Sequence, residues 1–343
     1  MSWFCRLATS AVAILVFASL ALPSARAVSI DWVTVGDPGN AADTSPSGYG
    51  AVADSFLIGK YEVTIQQYTD FLNAAARTDP YSLYNVNMGF NLNSAGIART
   101  ISSGSFVYSV VNNGGNSGDR PVTFVSWFDA ARFANWMQNG QGSGSTETGA
   151  YTLNGATSGT APAKNPGALY YVPTENQWYK AAFYKGSGTN AGYWDYATQS
   201  NTLPGNTIGS TANQANYKLL NVYSVTQSSS YSPSQNYLTN VGAFTTSASA
   251  YSTFDQNGNV SEWNDLTGAA GSNRGLRGGD WFYGAPDLSA SGRQLSDPSF
   301  EKEYIGCRVA ASVAVPEAST CASLLAGLAC GGYLVRRRRK HTS

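Results

Sequence analysis

The sequence predicts an α+β domain that is rich in loops and carries few regular elements. Short apolar strand candidates run three times into a helix with its own capping residue, and long Ser/Gly/Thr/Asn-rich stretches separate these units. Charged residues make up only 12% of the 343, about half the usual share, which suits a loop-rich domain outside the cytoplasm.

The first unit starts with a strand expected over 54–61, continued by Glu62, Val63 and Thr64. Thr64 and Gln67 have the spacing of a capping box, in which hydroxyl and amide side chains satisfy the first free amides of a helix. Ile65, Tyr68, Phe71 and Leu72 then recur at helical spacing. Residues 112–119 carry glycines but no following Lys-Ser/Thr, so they read as a surface turn and not as a phosphate loop. The second unit is a strand expected over 119–125 leading into a helix capped at Ser126, with Trp127, Ala130, Ala131, Ala134 and Trp136 as its apolar faces. In the third, Tyr170-Tyr171-Val172-Pro173 precedes Thr174 and Gln177, again at capping-box spacing, then Trp178, Tyr179, Ala181, Ala182 and Phe183. The polar stretches 140–167 and 224–239 read as long surface insertions within one domain.

The two ends read differently from this body. Arg6, an apolar run over 7–22 and Ala25-Arg26-Ala27 have the form of a signal peptide covering 1–27. At the other end, Pro316-Glu317-Ala318 precedes an apolar run, about 319–335, long enough to span a bilayer as a helix of roughly 20 residues or slightly fewer. The basic cluster Arg336 to Lys340 would hold that tail on the cytoplasmic side and leave the body outside. The combination over 314–343 resembles the PEP-CTERM sorting tail of bacterial envelope proteins, which implies an exosortase as partner and either membrane anchoring or sorting to the envelope or extracellular matrix.

Several function classes are excluded. Without the two leader arginines and the five tail bases, 14 Lys and Arg face 20 Asp and Glu in the body, so a nucleic-acid partner is not expected. The single histidine, His341, follows the tail helix, which removes histidine-based catalysis and histidine metal sites from the body. Cys5 lies in the leader, Cys321 and Cys330 in the tail, and Cys307 alone in the body, so no disulfide forms within the domain.

Three blocks complete the 28–313 domain: Asp255 to Trp263 (DQNGNVSEW), Arg277-Gly278-Gly279-Asp280-Trp281, and Gly306-Cys307-Arg308-Val309. Together with Tyr61-Glu62-Val63-Thr64 and Val172-Pro173-Thr174-Glu175, in this order, they resemble the formylglycine-generating enzymes, or sulfatase-modifying factors. The resemblance implies a formylglycine-generating-enzyme fold, related in shape to C-type lectin domains. It also implies a structural calcium held by the side chains of Asp255 and Glu262 and the carbonyls of Gly258 and Val260, an oxygen-rich set that suits a hard cation. Otherwise these carboxylates cap turns beside Trp263. A second family site would begin at Asn216 and Tyr217, although the later region 232–236 has no carboxylate to complete it.

In the family, two cysteines five residues apart bind copper(I) shortly after the Arg-Gly-Gly block; here those positions fall at about Tyr283 and Leu288. Neither offers a thiolate, the ligand that copper(I) selects, so copper is not expected. The reading is therefore a calcium-stabilised binding module without catalytic residues, taking an envelope peptide or glycan in a groove lined by Arg277, Trp281, Tyr283 and Arg293. Rings would supply apolar faces and arginines planar donor forks. Two alternatives stay open: a divergent oxidoreductase acting at another site, and a passive envelope or matrix component.

Overall fold

Capping organises the helices. In α1 (Ile65–Ala75) the Thr64 hydroxyl accepts from the Gln67 amide while the Gln67 side chain accepts from the Thr64 amide. Ser126 with Asp129 and Thr174 with Gln177 repeat the arrangement at α3 (Trp127–Gln138) and α4 (Glu175–Phe183). A short α2 (Asn87–Phe90) has no side-chain cap. The computed structural model describes residues 27–46 and 48–313. The expected sorting tail, and all of the expected leader except Ala27, lie outside them. None of the described helices is long and apolar enough to cross a membrane.

Two small sheets carry the rest. The first orders β1 (Trp32–Val35), β2 (Phe56–Gly59), β12 (Ala310–Ser312) and β5 (Tyr170–Tyr171), all antiparallel, so the last strand returns between the first and third units. The second orders β10 (Gln294–Ser296), β9 (Arg274–Arg277), β8 (Ser261–Asn264) and β11 (Ile305–Gly306), with β11 parallel to β8. Two hairpins, β3 (Ile97–Ser102) with β4 (Ser105–Val110) and β6 (Lys218–Leu219) with β7 (Val222–Tyr223), stand apart. Helix α3 is buried from Trp127 to Met137, packs on β5 and β8, and is apolar on more than one face because it is a core helix and not a surface one. Among the described residues, few are in regular elements, as the predicted class requires.

Two expectations need correction. Residues 119–125 do not form a strand. Val122 bonds to the Val63 carbonyl, but Phe124 adopts φ 57° and bends the segment before it can join a ladder. Residues 140–167 and 224–239 are not simply surface insertions either. Tyr151, Ala150, Leu153, Tyr237 and Leu238 are all buried. Asn135, inside α3, donates to the Thr146 and Tyr151 carbonyls and accepts from the Tyr151 amide, so the helix itself satisfies the backbone that crosses it.

Candidate functional site

The block of residues 255–263 forms a tight loop leading into β8. Asp255, Gly258 and Asn259 all have positive φ, and a Cβ on Gly258 would stand 2.3 Å from the Asn216 carbonyl oxygen, so only glycine fits there. Asn216 thereby comes against this loop: its carbonyl accepts from the Asn259 amide, and its side chain donates to Asn259 Oδ1 and the Tyr237 carbonyl. Tyr217 points elsewhere, packing with Leu288 and donating to the Pro204 carbonyl. Its own carbonyl accepts from Asn206.

The two carboxylates of the block have different surroundings. Glu262 is fully buried and engaged on both oxygens: Arg308 Nε lies 2.9 Å from Oε2, Arg308 Nη2 2.7 Å from Oε1, and Trp178 donates its indole N–H to Oε2 at 2.7 Å. Arg308 also donates to the carbonyls of Gly59 and Phe254, tying β2 to the loop and β8. Asp255 accepts the Gly242 amide at 2.6 Å. Burial pushes its carboxyl up to about 6, against that amide bond. Val260 sits in the apolar floor with Tyr223, Tyr237, Leu238 and Trp281.

Sequence reasoning missed Glu62. It is 1% exposed, its Oε1 accepts from Asn259 Nδ2 at 3.2 Å, and its Oε2 has no hydrogen-bond partner. Burial raises its carboxyl well above the usual range, and among the neighbouring charges Asp255 raises it most. Three buried carboxylates thus share one guanidinium. Among the described residues no group of three or more His, Cys, Asp or Glu side chains is placed to hold a metal ion. Glu62 had been visible only as part of the Tyr-Glu-Val-Thr block, because nothing in its local spacing relates it to Asp255, almost two hundred residues later.

The expected groove divides in two. Arg277 and Arg293 meet on Glu175: Arg277 Nε bonds Oε1 at 2.8 Å, and Arg293 grips both oxygens at 2.7 and 3.0 Å. Arg277 is buried, reaches the Ala290 and Gly292 carbonyls, and lies over the Tyr49 and Tyr179 rings. Both arginines are therefore committed to bracing.

Trp281 and Tyr283 belong to a separate aromatic cluster. Trp281 is buried, stacks on Tyr237 with centroids 4.9 Å apart, and donates to the Glu303 carbonyl, so it supports the surface instead of lining it. Tyr283, 41% exposed, and Tyr231, 49% exposed, are the outer rings, with Phe282 and Tyr304 packed between. Asp280 Oδ1 accepts the amides of both Phe282 and Tyr283, which holds these rings in place.

The copper positions offer no soft donors: Tyr283 is the exposed ring just described, and Leu288 is core beside Ala215 and Tyr217. Cys307 is fully buried, and burial pushes its thiol up, away from the thiolate that metal binding needs. A copper(I) dithiolate site does not fit these residues.

The family profile described as "Sulfatase-modifying factor enzyme 1-like domain" matches residues 33–313. Among solved structures, the chain is similar to "CarF", with 21% identity over 83% of this chain and 99% of that one and a TM-score of 0.47. "Treponema denticola variable protein 1" shares 17% identity over 84% and 97%, with a TM-score of 0.45. "PvdO from Pseudomonas aeruginosa" shares 18% over 83% and 92%, with a TM-score of 0.41. No curated protein matches the chain.

Proposed function

Given that the chain belongs to the sulfatase-modifying factor enzyme 1-like family, we propose that it is a calcium-stabilised binding module of the bacterial envelope that does not generate formylglycine. The observation that carries this reading is the pair Tyr283 and Leu288, an exposed ring and a core leucine at the positions where the family's chemistry uses cysteines. The ligand is an envelope glycan or peptide, received on the exposed rings of Tyr231 and Tyr283. Rings fixed from below lose little freedom on binding, and tyrosine offers both an apolar face and a hydroxyl. The tail would bring this surface to the outer face of the membrane or, after exosortase processing, to the envelope.

The test combines three measurements on the purified protein. Metal analysis should find calcium without stoichiometric copper or iron. A copper-loaded sample should leave a cysteine-containing sulfatase peptide unoxidised in air. Glycan and peptide arrays should return a ligand. A redox metal with oxygen-dependent conversion of the peptide would overturn the reading in favour of an oxidoreductase, and empty arrays would favour a passive matrix component.

A further inference from the structure

A cleft of about 360 Å³ opens between the segments 41–45 and 184–195, and it shares no residue with the Tyr231–Tyr283 surface or the Asp255 loop. That volume falls in the range of small-molecule sites. Hydrogen bonds fasten its two walls to each other. Ala41 donates its amide to the Thr189 carbonyl at 3.0 Å, and Tyr193 donates its hydroxyl to the Ala41 carbonyl at 2.8 Å. Asn40 donates to the same hydroxyl at 2.7 Å, and Tyr184 is buried against the edge of the Tyr193 ring with centroids 4.9 Å apart. The cleft therefore has its shape before any ligand arrives, which lowers the ordering cost of binding.

The polar groups on its surface are unused. Thr44, Ser45, Thr189, Asn190 and Asp195 are exposed, and among the described residues their side chains make no hydrogen bond. Asp43 is already engaged, Oδ2 accepting the Tyr179 hydroxyl at 2.6 Å and Oδ1 the Ser45 amide at 3.0 Å. Among the described residues no Lys or Arg lines the cleft.

We propose that this cleft binds one unit of a neutral saccharide. Hydroxyls and an amide both donate and accept, and the Asp195 carboxylate accepts only, a set that matches sugar hydroxyls acting in both senses. The half-buried Tyr193 ring offers an apolar face for the C–H side of the sugar. Acidic ligands are disfavoured, because two carboxylates and no base line the cleft. Organic cations are disfavoured as well. Lys180 lies 5.8 Å from the centre of the Tyr184 ring and Lys185 4.6 Å from that of Trp194, while Asp43 is spent on its own donors. The cleft stands without the Tyr231–Tyr283 reading and goes beyond it: two weak sites on one chain reinforce each other on a polymeric glycan.

Saturation-transfer NMR and calorimetry on the purified full chain test this with cellotriose, maltotriose and N-acetylchitotriose. Trigalacturonate and the glucosamine trimer serve as charged controls. Wild type should bind at least one neutral trisaccharide more tightly than either control. Asp195→Ala should weaken that binding by about tenfold and Asn190→Ala by less, since a hydrogen bond to a charged group is the stronger. Both variants should melt as wild type does, because neither side chain bonds to the rest of the protein. Loss in these variants with Tyr283→Ala unaffected supports the cleft, whatever becomes of the aromatic surface. Loss in Tyr283→Ala alone would overturn the cleft and leave the aromatic surface standing. No binding of any neutral trisaccharide, or tighter binding of a charged one, would also overturn it.

Discussion

Replacing Glu262 by Gln bears directly on how charge is shared in the buried cluster. The carboxylate is fully buried and accepts two bonds from Arg308 and one from Trp178. Glutamine keeps the volume and one acceptor, but it turns an N–H toward a donor and removes the charge opposite Arg308. Breaking one side of a buried ion pair costs about 3–5 kcal/mol. Arg308 keeps the Gly59 and Phe254 carbonyls, and Glu62 and Asp255 act on it electrostatically, so the lower end, about 3 kcal/mol, is expected. Against a domain stability on the order of 5–15 kcal/mol, the variant should still fold. Urea unfolding followed by tryptophan fluorescence, in chelator at neutral pH, would measure the loss, with an unchanged m-value confirming the same transition. A companion Glu262→Gln/Arg308→Met variant should lose less than the sum of the single changes. A loss below about 1 kcal/mol in Glu262→Gln would refute the reasoning, because Glu62 or Asp255 would then be neutralising Arg308 and Glu262 would be available to an ion.

Three further outcomes are expected. Gly258→Ala, whose Cβ would meet the Asn216 carbonyl at 2.3 Å with φ at +84°, should cost about 3 kcal/mol from left-handed strain and overpacking, read by thermal unfolding. Asp280, buried and pushed up to about 7, binds its proton more tightly folded than unfolded. Its contribution therefore favours folding below about pH 4 and is lost as pH rises to about 7, so Asp280→Asn should flatten the decline in stability between about pH 4 and 7 and be more stable than wild type at pH 8 by up to about 4 kcal/mol. An equal pH slope in the two proteins would contradict this. Tyr283→Ala, at an exposed ring, should leave the melting temperature within a few degrees of wild type yet abolish capture of whatever ligand the arrays identify.

The parts of the fold legible in the sequence share one physical property, namely short range. Thr64 with Gln67, Ser126 with Asp129 and Thr174 with Gln177 close their hydrogen bonds within three residues, so a cap can be read from spacing. The apolar residues 65, 68, 71 and 72 all enter the core because helical periodicity is likewise local. The segments 140–167 and 224–239 were misleading because their polarity hides a few anchors, Tyr151 and Tyr237 among them, whose partners lie on distant elements.

By itself, then, the sequence determined the three capped helices, the α+β class, the family and the loss of soft donors at positions 283 and 288, since each depends on residue identity or on neighbours a turn away. Tertiary structure alone decided how charge is distributed. Folding brought Arg308 to Glu262, placed Glu175 between Arg277 and Arg293, buried Trp281 under Tyr237, and brought Asn259 to Glu62. Those pairings join residues from 44 to almost 200 positions apart in the chain, and electrostatics in a buried site depends on distance through space, which no spacing along the sequence encodes.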